Sequence, residues 1–360
     1  MYKKILAARA EKLFGQTDAS LEDEIPRLMT RASIPGLSIA VIRDGEIVLT
    51  KGFGVKSTKT KKPVSTDTIF EAASLSKPLF AYAVLKANEL EKINLDLDTP
   101  LVEKISKDTI NKYLGKNLES FDQEFQDRLS KITPRMLLSH TSGLPNWRGK
   151  NPLSIAFEPG KQWSYSGEGF CLLGLAVQKL SGLEFNAFMK KLVLDPLGMT
   201  SSSYTWREDF LELSASPHID QEAMPKNRPS DANPAASLHT TAGDYAKFIL
   251  AMIQNTTLSK IMRTPQKNTL LPPEVTRGIP WGLGFGLQQI ESKDGTIEPS
   301  FWHWGDNGPF KAFVMGDSRN AFVYFANSLY GLRIWEDLAQ NILAGKHSLI
   351  EAGVLSHYKS

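Results

Sequence analysis

The stretch Thr68-Ile-Phe-Glu-Ala-Ala-Ser74-Leu-Ser-Lys77-Pro78-Leu-Phe-Ala-Tyr-Ala-Val-Leu-Lys86 decides how the rest of the chain is read. An extended approach ends at Ser74 and a mostly apolar run follows. In that run Leu75, Leu79, Tyr82, Ala83 and Lys86 recur at spacings of three and four, which predicts a helix. Pro78 has no amide hydrogen to donate, so it suits a first turn. Ser74 therefore falls at or just before a helix N-terminus, where free N–H groups and the positive dipole end favour negative charge. Lys77 lies three residues on, about 5–6 Å away at Cβ. A hydroxyl beside a lysine that burial can hold neutral is a candidate nucleophile. A solvated first-turn pair has the same pattern, and Ser-x-x-Lys recurs at Ser356-His-Tyr-Lys359, in a polar tail where nothing suggests a pocket. The rest of the chain has to choose.

At 360 residues the chain is long enough for a large core divided into two lobes. Its 41% hydrophobic and 22% charged content are those of a globular protein. The net charge of +3 comes from intermixed signs, with no basic block interleaved with aromatics, which argues against nucleic acid as a partner. Cys171 is the only cysteine, so an internal disulfide and a cysteine-based metal cluster are excluded. It sits in the apolar run Phe170–Val177 and reads as a small core residue. His218 and His239 lack acidic or cysteine partners at ligand spacing, so neither a metal nor a cofactor is expected. The N-terminus has too short an apolar run for a signal peptide, and no run approaches the roughly 18–20 residues that span a bilayer. A natural start at Met1 predicts a cytoplasmic protein; removal of a leader would make it periplasmic or secreted.

In chain order, residues 1 to 33 read as amphipathic helix, broken at Gly15–Asp18 and resumed through Leu21, Ile25, Leu28 and Met29. Leu37–Ile42 and Ile47–Phe53 read as strands around Arg43-Asp44-Gly45-Glu46, a strong hairpin signal. Thr133 caps a short helix begun by Pro134. A long apolar helix follows Tyr165 and stops at Ser181-Gly182, and Thr240-Thr-Ala-Gly-Asp244 caps another over Tyr245–Ile253. Gly282–Ile290, Lys311–Met315 and Ala321–Ala326 are three further strands, and Trp335 to Leu343 a closing helix. The layout predicts an α+β fold: an α/β lobe with a five-stranded, mainly antiparallel sheet built from both chain ends, plus an all-helical lobe. Residues 1–90 with 236–360 form the first lobe and 91–235 the second, with the site in the cleft between them.

Three segments would meet there: Ser74/Lys77, Tyr165, and Phe301-Trp-His303-Trp-Gly305-Asp-Asn-Gly308. In order, spacing and flanks they resemble the serine β-lactamase and penicillin-binding-protein superfamily, in its class C-like branch of β-lactamases, DD-peptidases and family VIII carboxylesterases. Ile34–Gly45, Leu137-Leu-Ser-His-Thr-Ser-Gly143-Leu, Pro196–Met199 and Leu238–Asp244 resemble that family's structural signatures, so the resemblance runs from about Ile34 to Ala326. It implies the β-lactamase/transpeptidase-like fold in one catalytic domain.

The resemblance also implies roles. Ser74 becomes the acylated nucleophile, and Lys77 takes or relays its proton. Tyr165 acts as general base toward Ser74 and acid toward the leaving group. His303-Trp304-Gly305 fills the third motif, lining one wall and positioning or polarising the substrate. The backbone N–H groups of Ser74 and Asp306 form the oxyanion hole. His140, inside Ser-His-Thr-Ser-Gly, is structural. One departure stands out. The second motif is usually Tyr-x-Asn, whose amide contacts the acylamino side chain of β-lactam substrates, and here it reads Tyr165-Ser166-Gly167. Glycine cannot supply that contact, although Glu168 or Asn307 are candidates to replace it. The expectation is thus a serine hydrolase acting through a Ser74 acyl-enzyme on a small-molecule ester or amide. DD-carboxypeptidase or β-lactamase activity is the alternative, and a catalytically silent binding or sensor homologue the third reading. No pattern sets the oligomeric state or the physiological substrate.

Overall fold

Six strands of six residues or more build the centre of the molecule. The computed structural model describes residues 18–266, 279–353 and 355–358. Among these, seven strands form one sheet: β1 (Gly36–Arg43), β2 (Glu46–Gly54), β3 (Gly286–Glu291), β4 (Ile297–Asp306), β5 (Lys311–Gly316), β6 (Ala321–Ala326) and β7 (Lys346–His347). Their order is β7-β3-β4-β5-β6-β1-β2, and every pairing is antiparallel. The two chain ends meet where Leu37 pairs with Ala326. Asp44 and Gly45 both take positive φ, 50° and 78°, which gives the tight β1–β2 turn the right-handed twist its strands need.

The sheet has seven strands rather than the expected five, because β4 and β7 were not legible. β4 is the longest strand, yet it contains Pro299 and Gly305, both strand breakers. The stagger of its neighbours explains the exception. β3 pairs with Ile297–Trp302 and β5 with Phe301–Asp306, so Pro299 sits where only one side of β4 is paired. β7 has two residues, too few for periodicity to register.

Six helices have eight residues or more among the described residues: α1 (Asp18–Arg31), α2 (Ser76–Glu89), α3 (Lys107–Leu114), α4 (Gly167–Ser181), α5 (Ala242–Gln254) and α6 (Trp335–Ile342). The expected restart near Asp18 is α1; the helix expected before it lies outside the described residues. Thr133 accepts the Met136 N–H as the expected cap, and Thr241 accepts the Asp244 N–H at the head of α5.

Burial of both sheet faces holds these elements together. Ala40, Ile42, Ala312, Val314, Val323 and Phe325 face a core shared with α2, α4, α5 and the short helices between. Leu37, Ile39, Val41, Phe313, Met315, Phe322 and Tyr324 face a second core under α1 and α6. The period of two in each strand is what a doubly covered sheet requires.

Candidate active site

A one-turn 3-10 helix, Ala73–Leu75, carries Ser74 and runs straight into α2. The approach is the two-residue strand Phe70-Glu71, paired with Thr240 and His239. Ala73 holds φ at +50°, a left-handed conformation that costs an alanine about 1–2 kcal/mol. Packing enforces it. The strand β4 presses on this turn so closely that a Cβ at Gly305 would stand 2.5 Å from the Ala72 carbonyl oxygen and 3.2 Å from the Ala73 Cβ. Only glycine admits that approach.

Lys77 is fully buried at the start of α2, and its Nζ donates to Ser74 Oγ at 3.0 Å and to the Ala235 carbonyl at 2.9 Å. The rings of Tyr165, Trp147 and Phe170 surround it at 4.8, 5.9 and 5.9 Å. Among the described residues no carboxylate pairs with it to offset its burial, and desolvation lowers its pKa to about 7.

Tyr165 is half-buried, with its ring against His140, Trp304 and His303. Its hydroxyl interacts with Ser74, which opposes the rise in pKa that burial imposes. At rest it is a protonated phenol. His140 is buried behind it, and its Nδ1 accepts the Ser166 N–H at 3.0 Å. That bond fixes the backbone beside Tyr165, the structural place expected of His140.

His303 departs from expectation. Rather than lining an open wall, its side chain is fully buried. Its Nδ1 lies 2.7 Å from the Trp304 carbonyl, which can only accept, so Nδ1 carries the proton and Nε2 keeps a lone pair with no hydrogen-bond partner among the described residues. Burial and the nearby Lys77 lower its pKa to about 3. The imidazole is neutral.

The four expected substrate contacts are brought near the site, but three of their side chains are committed to the protein. Asp306 accepts from Gly308 N–H and Lys311 through one oxygen and from the Tyr358 hydroxyl through the other, at 2.6 Å. The Asn307 amide donates to Glu71 and to the Ala236 carbonyl. The Glu168 carboxylate accepts from Tyr113 at 2.6 Å and from the Arg148 backbone and side chain at 3.2 and 3.0 Å. The Asn307 amide nitrogen and the Glu168 carboxylate, the candidates to replace the amide missing at Gly167, are thus hydrogen-bonded within the protein itself. Gly305 contributes close packing, as above.

Three contributors escaped the sequence reading: the Ala235 carbonyl on Lys77, the indole of Trp147, and Tyr358. The tail at Ser356–Tyr358, expected to be remote, brings the half-buried Tyr358 onto Asp306 and within 5.4 Å of Lys311 Nζ. A lone tyrosine in a polar segment carries no periodic signal that would have found it.

The sequence pattern of the family described as Beta-lactamase matches residues 21–346. The chain belongs to the beta-lactamase family. Its relatives include Protein flp of Staphylococcus aureus (strain N315), 23% identical over 97% of this chain and 71% of that protein. Penicillin-binding protein 4* of Bacillus subtilis (strain 168) is 27% identical, over 81% of this chain and 67% of that protein. Among solved structures, a beta-lactamase/D-alanine carboxypeptidase from Pseudomonas syringae superposes with a TM-score of 0.71 at 20% identity, covering 91% of this chain and 98% of that one. The beta-lactamase family chain thus shares its antiparallel sheet and flanking helices with these neighbours. Among the described residues, no helix is long and apolar enough to cross a membrane.

Proposed function

We propose that this beta-lactamase family chain is a serine hydrolase that works through a Ser74 acyl-enzyme on a small-molecule ester or amide. The observation that carries the reading is the 3.0 Å contact between Ser74 Oγ and a fully buried Lys77. With a pKa of about 7, much of Lys77 is neutral near pH 7 and free to accept the hydroxyl proton as Oγ attacks the carbonyl carbon. The protonated Tyr165 then gives its proton to the leaving alkoxide or amine. Its phenolate takes the proton back from Lys77, so both groups return to their starting states. Water repeats the attack on the acyl-enzyme. The backbone N–H groups of Ser74 and Asp306 supply the oxyanion hole; the seating of Gly305 on Ala72 and Ala73 supports this by bringing β4 against the nucleophile turn. Neutral His303 backs Tyr165 from beneath rather than touching substrate.

A DD-carboxypeptidase or β-lactamase is the second reading, favoured by relatives named penicillin-binding protein and D-alanine carboxypeptidase. Gly167 weighs against it, since no side chain there can hold an acylamino group. One experiment separates these from a catalytically silent homologue. The protein and its Ser74→Ala variant are incubated with a fluorophosphonate, a fluorescent penicillin and a short-chain nitrophenyl ester. Ester turnover and fluorophosphonate labelling that vanish in the variant support the proposal. Durable penicillin labelling supports the second reading. No labelling and no turnover in the unmutated protein would overturn both.

A further inference from the structure

Gly167 leaves a gap in the second motif, and the structure fills it from another segment. A Cβ at 167 would stand 2.7 Å from the Asn146 carbonyl oxygen, 2.8 Å from Cη2 of Trp147 and 3.0 Å from its Cζ2. The indole of Trp147 therefore lies in the space that a side chain at 167 would claim. It also flanks the catalytic lysine, 5.9 Å from Lys77 Nζ. Its outer surface is open. At 48% exposure, it is the only aromatic among the exposed large apolar side chains of the described residues.

The loop that presents it is held at both ends. The Asn146 carbonyl accepts the N–H groups of Gly167 and Glu168, both at 3.1 Å, and its Oδ1 accepts Gly167 N–H again. These are the first amides of α4, which have no partner within the helix itself. On the other side of Trp147, the Arg148 guanidinium stacks 4.5 Å from the Tyr113 ring centre and pairs with Glu168, which is mostly buried. Glu168 thus clamps the loop instead of meeting substrate. A fixed indole with one face open beside a nucleophile is costly to leave wet unless something covers it.

We propose that Trp147 is the acyl-group platform of this site. It replaces the amide of the usual second motif with an aromatic face and selects substrates whose acyl portion is flat and apolar, such as an aryl-acetyl ester or amide. The inference rests on the acyl-enzyme reading and deepens it. An indole offers stacking and area but no acceptor for an acylamino N–H, so it favours arylacyl over acylamino groups for the same reason that Gly167 cannot bind the latter.

The test compares kcat/KM for nitrophenyl phenylacetate with that for nitrophenyl acetate in four chains: unmutated, Trp147→Phe, Trp147→Leu and Trp147→Ala. An offset-stacked aromatic pair is worth about 5- to 10-fold in such a ratio. The phenylacetyl preference should hold in Trp147→Phe, fall in Trp147→Leu, and fall about 5- to 10-fold in Trp147→Ala, mostly through KM. Fluorophosphonate labelling of Ser74 is read alongside in each chain. Labelling with a flat ratio across the series overturns the platform and leaves the acyl-enzyme standing. No labelling in the unmutated protein overturns both. Should Trp147→Ala fail to fold, the step between Trp147→Phe and Trp147→Leu decides alone, since both retain apolar bulk.

Discussion

Lys77 is the residue on which chemistry and stability pull in opposite directions. In the proposed mechanism its neutral form accepts the Ser74 proton, so ester kcat/KM should climb as pH rises through about 7 and level off above it. A rate that falls through that range would count against Lys77 as the base. The same burial works against folding. The folded-state pKa lies below the unfolded value of 10.5, so the unfolded chain binds more protons; the penalty is full near pH 7 and below, and fades toward pH 10.5. Lys77→Met should therefore abolish turnover yet raise the unfolding free energy by about 1–3 kcal/mol at pH 7, and by less at pH 10. Denaturant melts at the two pH values check both the sign and the trend. The contact between Ser74 and Lys77 was legible because spacing on a helix start is local information. His303 was half legible: the motif marks its place, but burial beneath Tyr165 and Trp304 depends on tertiary packing that no short window contains.

The element that arms the site is β4. It was unreadable as a strand because Pro299 and Gly305 break propensity, and it is permitted because staggered neighbours leave Pro299 unpaired on one side. Two substitutions test its seating. Gly305→Ala places a methyl 2.5 Å from the Ala72 carbonyl, so the strand must retreat from Ser74; a loss of about 1–3 kcal/mol in stability and a steep fall in kcat should accompany each other. A Gly305→Ala chain with unmutated kcat would mean that β4 does not position the oxyanion donors. Tyr358→Phe removes the bond to Asp306 at the end of the same strand. Its effect should be milder, a few-fold in kcat with little change in melting temperature. The paired hairpin, the Thr133 cap and the helix after Thr241 were all readable because each is set by turn and capping chemistry within a few residues. The Tyr358 contact joins segments far apart in sequence, which is why it was missed.

At the scale of the whole molecule, the expected α+β architecture holds, with a sheet built from both chain ends and two strands more than periodicity revealed. What was legible is β1, β2, β3, β5 and β6, apolar runs bounded by turn residues; what was not is β4 and β7, whose strand character depends on their neighbours. That architecture has a consequence for how the protein is made. Ser74 leaves the ribosome long before Asp306, and synthesis at about 5–20 residues per second puts tens of seconds between them. Through that interval β1 has only its hairpin partner β2, because Leu37 must wait for Ala326. The Ala73–Leu75 turn likewise lacks the strand that holds it in shape. A nascent chain therefore carries Ser74, the proposed nucleophile, without the strand that seats it, and also exposes the apolar length of α2, a natural target for chaperones. Chains halted on the ribosome before β4 should resist fluorophosphonate, and reactivity should switch on only when β4 to β6 have emerged. Labelling of a chain stopped at residue 295 would show that the two ends need not meet first. Maturation of the active site would then coincide with completion of the sheet, making reactivity itself a report of finished synthesis.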